Sequence, residues 1–105
     1  MNAMTPATNA PQPDPMFVGP LTRMRAVAVM ARAQDWLASA AQIGTPSMRV
    51  NLGALTQVDT SALAVLLGLK RMAARLNCPL TFVGAPASLL ALARLSSVDR
   101  LLELE

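Results

Sequence analysis

Asn51-Leu52-Gly53-Ala54-Leu55-Thr56-Gln57-Val58-Asp59-Thr60-Ser61-Ala62-Leu63 is the stretch whose reading decides the rest of the chain. Arg49-Val50-Asn51-Leu52 alternates in polarity and predicts a strand over 48–52. Gly53 to Asp59 reads as a connection. From Thr60 the period changes: Ala62, Val65, Leu66, Leu69, Met72, Ala73 and Leu76 recur at three- and four-residue spacing, which places them on one face of a helix. The first four N–H groups of a helix have no partner inside it. Asp59, Thr60 and Ser61 stand at that start with side-chain oxygens able to accept from them, so Asp59 and Thr60 are expected to cap the helix. The same free donors and the helix dipole make this a favourable place for negative charge, including a phosphate carried on a hydroxyl.

Working outward, Asn77-Cys78-Pro79 ends the helix, and Leu80-Thr81-Phe82-Val83 is a further strand closed by Gly84. Pro86 suits the first turn of a helix reaching about Leu95. Val98 to Glu105 forms a short terminal element of unassigned type. Upstream, Gly44-Thr45-Pro46 stops a helix that Thr22 is placed to cap and that runs to about Ala41. Before it, Met16-Phe17-Val18 is a short strand candidate ended by Gly19-Pro20. Residues 1–15 hold Pro6, Pro11, Pro13 and Pro15 among small polar residues and are expected to be a disordered tail, which leaves one domain over 16–105. Strands alternating with helices predict the α/β class, with a small, mostly parallel or mixed sheet and helices packed against it.

Composition removes more functions than it suggests. Among 105 residues there is no histidine and no tyrosine, and Cys78 is the single cysteine. A Ser-His or Cys-His pair, a histidine metal site and an intramolecular disulfide are therefore all unavailable. The six acidic residues form no pair on a predicted helical face, and no Walker-type loop is present. We expect no catalytic residue, no cofactor and no bound metal. The net charge is +3; Lys70, Arg71 and Arg75 cluster without interleaved aromatics, so no nucleic-acid partner is expected. Leu76 to Ala93 is uncharged, but Asn77, Pro79, Gly84 and Pro86 break it well short of the roughly 20 apolar residues a spanning helix needs. The first fifteen residues lack Lys and Arg, so no signal-peptide pattern is read and the protein is expected in the cytoplasm, with no direct membrane insertion.

Asp59-Thr60-Ser61-Ala62-Leu63 after a strand and loop resembles the signature of STAS domains, Asp-Ser/Thr-Ser/Ala/Gly-Gly-Leu at a helix start. Phe17-Val18-Gly19-Pro20-Leu21-Thr22 is similar to that family's strand-Gly-x-Leu-Thr/Asp run into its first helix. Pro79-Leu80-Thr81-Phe82-Val83-Gly84 is similar to its next strand, and Leu89-Leu90-Ala91-Leu92-Ala93-Arg94-Leu95 resembles its last major helix. The likeness covers about residues 16–104. Ala62 departs from the family's usual Gly. The family's opening strand falls within residues 5–12, where prolines disfavour one, so that strand is expected to be short or missing.

The resemblance implies the STAS fold and a non-enzymatic interaction module, and it offers two kinds of partner. In anti-sigma factor antagonists the residue matching Ser61 is phosphorylated by a serine kinase, which switches partner binding. In the MlaB-like branch the domain is an accessory subunit on the ATPase of a phospholipid-transporting ABC system, and the residue matching Thr60 lies at the contact. Thr60, the compact length and the Ala-Leu-Ala-Arg-Leu helix favour the second; Ser61 keeps the first open as a candidate phosphorylation site. On the transporter reading the protein reaches the inner membrane only through its partner. The expected docking surface is Thr60, Ser61, Leu63, Leu67, Lys70 and Arg71, with Leu63 and Leu67 projecting away from the core face of their helix.

Overall fold

The computed structural model describes residues 17–104. In chain order these form β1 (Gly19–Leu21), α1 (Arg23–Gln42), β2 (Met48–Asn51), β3 (Leu55–Val58), α2 (Thr60–Arg75), β4 (Leu80–Val83), α3 (Ala87–Leu95) and α4 (Asp99–Leu102). β1 pairs in parallel with β3, and β2 in parallel with β4 from Met48 opposite Leu80 to Asn51 opposite Val83. The α/β expectation holds, and every strand pair among the described residues is parallel. The tail expected over 1–15 and the family's opening strand at 5–12 lie outside the described residues.

Two boundaries need correction. The strand expected at Met16–Val18 lies further on, at Gly19–Leu21. Phe17 is 1% exposed and plugs the core instead, while Gly19 takes a φ of +83° and donates its N–H to the Ala54 carbonyl. An L side chain resists that backbone region, so the pairing depends on glycine there. The expected connection Gly53–Asp59 contains β3. Only Leu55 of that strand is buried, and Thr56 and Gln57 are exposed, so the alternation that marks a strand is missing. The undecided terminal element proves to be a short helix, and its Leu102, with Leu104 just beyond it, closes the core.

α2 follows its periodicity: Ala62, Val65, Leu66, Leu69 and Ala73 are buried. Leu76, at 37% exposure, has already left the face. α1 buries Val29, Ala33, Leu37 and Ala40 on a single stripe against α2. Gly68 lies where the two helices meet, and a Cβ there would crowd the flexible end of Met30. Each helix ends in a left-handed residue, Gly44, Asn77, Ser97 and Glu103 in turn. The following N–H returns to the last turn in each case, Thr45 to Ala40, Cys78 to Ala73, Val98 to Ala93 and Leu104 to Asp99. These Schellman closures satisfy terminal carbonyls and fix where each strand or helix resumes.

Candidate functional site

β3 and β1 lie side by side, so the helices that follow them, α2 and α1, start next to one another. Asp59 sits between the two starts. Its Oδ1 accepts from the Ser61 N–H at 2.8 Å, and its Oδ2 accepts from the Arg23 N–H at 3.0 Å. One carboxylate therefore caps two helices, the second bond reaching a donor 36 residues away in sequence. The Arg23 N–H is the main cause that holds the Asp59 carboxyl below its ordinary value; burial opposes it, and the N–H and hydroxyl of Ser61 with the Ala62 N–H add to the lowering. Hydrogen bonds to the charged form and two positive helix ends explain that direction.

The cap expectations divide on this geometry. Asp59 caps α2 as expected. Thr60 is instead the first helical residue, with its side chain exposed, and the cap bond to the Ser61 N–H is made by Asp59. Thr22 holds the N-cap position of α1 but makes no side-chain cap bond. The donor it was expected to serve is taken by Asp59, a partner that local sequence could not reveal.

Of the expected docking residues, the structure brings only part to one surface. Thr60 and Ser61 bound a shallow depression of about 290 Å³ with Thr22, Arg23 and Met24. Leu63 is 4% exposed and belongs to the core, which removes it from any contact surface. Leu67 is half-buried against that core rather than projecting from it. The error lies in treating the helix as having one buried side. α2 is covered by α1 on one flank and by the sheet and α4 on another, so its buried arc is wider than the single stripe. Lys70 is held within the fold: its Nζ lies 2.7 Å from Glu103 Oε1 and 5.8 Å from the Phe82 ring centre. Arg71 is exposed, about three turns beyond Thr60 and Ser61.

Sequence reasoning missed the neighbouring helix. Met24 is 91% and Val27 83% exposed on the first turns of α1. Val27 borders a groove of about 530 Å³ between α1 and α2, together with Arg23, Met30, Ser61 and Ala64. The signal was present: Met24, Val27 and Ala31 are apolar yet fall off the Val29-Ala33-Leu37-Ala40 stripe. A helix covered on one side usually carries polar residues there.

A family model described as Mlab, STAS domain matches residues 17–103. No curated protein matches the chain. Among the described residues no helix is long and apolar enough to cross a membrane.

Proposed function

From the chain's membership of the MlaB-like STAS family, to which it belongs, we propose that it is an accessory subunit that docks on the ATPase of a phospholipid-transporting ABC system. STAS domains are in general interaction modules rather than enzymes, and the features of the surface suit that role. One observation carries the reading: two large apolar side chains, Met24 and Val27, stand in solvent beside the Thr60 and Ser61 hydroxyls. Apolar surface bordered by polar groups is the composition of a contact surface. The double cap under it keeps both helix starts fixed relative to each other, so the surface is organised before a partner arrives. A fixed surface loses little conformational freedom on binding.

Ser61 bears on the choice between the two kinds of partner. Its hydroxyl and N–H both serve Asp59. A phosphate on that oxygen would remove a donor and set about two negative charges beside the carboxylate. The unmodified hydroxyl is thus the form compatible with the double cap, and that supports the transporter reading over the phosphorylation switch.

Purification of the tagged full chain from native cells tests the proposal. The expected result is co-purification of a transporter ATPase with its permease, lost on Thr60→Arg while the melting temperature is kept. Recovery of a small serine kinase, with phosphate on Ser61, overturns it in favour of the anti-sigma factor antagonist reading.

A further inference from the structure

The groove between α1 and α2 has properties that restrict what can fill it. Its walls are two helices, so it presents no free strand edge. An extended segment laid there would leave its own N–H and C=O groups unpaired, whereas a helix satisfies its backbone internally. The residues facing the groove include Ala26, Ala31, Ala64 and Ser61, which are small enough for another helix to approach at ordinary packing distance. Its single charged lining residue is Arg23, at the end where both helices begin. Among the described residues no carboxylate pairs with the Arg23 guanidinium: the Asp59 bond is made by the backbone N–H. Both helix dipoles add positive potential at the same end.

We infer that this groove seats one amphipathic helix of the partner protein, with an acidic side chain against Arg23 and apolar side chains on Val27, Met30 and Ala64. The inference rests on the docking reading above and specifies its mode. Apolar residues at i, i+3 or i+4, and i+7 of the incoming helix match the groove, and the acidic residue fixes its direction. Charge opposite Arg23 also makes the association salt-sensitive.

A photo-crosslinking residue placed at Val27 or at Ala64 of the full-length chain, in native cells, tests this, with the exposed Leu95 at the end of α3, which does not line the groove, as the control position. The expected result is that both groove positions attach to one segment of one protein, carrying a helical apolar repeat and an Asp or Glu near the Arg23 end. Arg23→Glu should then weaken capture of that protein by at least about tenfold at low salt, and reversal of the partner's acidic residue should restore it. Attachment to a loop or strand, to lipid, or to a second copy of this chain overturns the inference, as does equal labelling from Leu95. The two readings fail separately. A matching acidic helix from a protein other than an ATPase leaves the docking mode standing and removes the transporter role. Co-purification of the ATPase with groove crosslinks absent or scattered does the reverse.

Discussion

At the N-terminal end of α2 the carboxylate of Asp59 binds backbone donors of two helices, whereas along its second half Lys70 and Glu103 satisfy one another's charges. The first arrangement joins α1 to α2 and leaves apolar side chains uncovered around it. The second joins α2 to the last turn of the chain and leaves a basic exterior at Arg71 and Arg75. A polar bond thus serves different ends according to its partner. Backbone donors fix where helices begin, and a side-chain pair ties down a terminus. On the docking reading proposed above, the partner surface lies at the first end, where the apolar side chains are uncovered.

The largest expected effect breaks the join itself. Gly68→Leu places a side chain where Met30 Cε already stands. α1 must then move away from α2, and overpacking of this kind costs about 3 kcal/mol. A domain of this size loses roughly 4–8 °C of Tm per kcal/mol, so thermal melting should show a fall well beyond 10 °C by that scale. Gly68→Ala separates two opposing contributions. Alanine gains about 1 kcal/mol in helix propensity, and the neighbour it meets is the flexible end of a methionine. An unchanged or slightly raised Tm is expected. A fall as large as that of the leucine variant would show that Met30 cannot move and that the groove beside it is rigid.

Next in size is the contrast between Leu67→Asp and Val27→Asp. Leu67 is half-buried against the core, so a charge there should cost about 2 kcal/mol and lower the Tm whether or not a partner is touched. Val27 is exposed, so Val27→Asp should leave the Tm within a degree or two, as surface substitutions generally do. Its effect should appear in partner capture. A central contact residue carries about 2 kcal/mol, roughly thirtyfold in affinity. Equal stability and equal capture for both variants would end the distinction between the two surfaces.

The Asp59 cap gives a smaller, pH-dependent effect. Asp59→Ala leaves the Arg23 and Ser61 N–H groups without their acceptor, and a Tm lower by several degrees is expected. Asp59→Asn keeps one oxygen, enough for one of the two donors, and should fall between alanine and the wild type. The folded-state pKa of Asp59 is below its unfolded value. The contribution of its charge is therefore complete above the ordinary carboxylate range and is lost as pH falls through the lowered value. Wild type and Asp59→Ala should differ in Tm at pH 7 and converge in acid. A difference that persists at low pH would mean the neutral carboxyl caps as well as the charged one.

These contrasts also mark what was legible in the sequence. α2, β4 and the core stripe were readable because their hydrophobic periods are local and unbroken. β3 was not, since Leu55 alone of its residues is buried. Asp59 could be read as a cap because the helix follows it directly. Its second bond, to Arg23, depends on β1 and β3 being neighbours, which no local pattern encodes. Leu63 and Leu67 were misplaced for a similar reason: the width of a buried arc depends on how many elements cover a helix. Met24 and Val27 are legible in the sequence as a second apolar face of α1, separate from the stripe that packs against α2.

The smallest expected effect belongs to Lys70 and Glu103, and its size separates structural use of a charge from functional use. The pair is short at 2.7 Å, yet the Glu103 side chain is 70% exposed. Water and salt screen such a pair, and holding two long side chains together opposes it further. The hydrogen bond and charge of Lys70 hold the Glu103 carboxyl below its ordinary value, so what the pair contributes is present above the carboxylate range and disappears as pH falls through the lowered value. Glu103→Gln should change the Tm only slightly at neutral pH and low salt, and not at all at high salt. Partner capture should be unaffected, since Glu103 ties α4 to α2 away from the groove. Lys70→Met removes the charge that lies 5.8 Å from the Phe82 ring centre but keeps an unbranched apolar stem, and should behave alike. If either variant instead abolished capture with its Tm intact, the basic half of α2 would be the docking surface and the exposed turns of α1 would not.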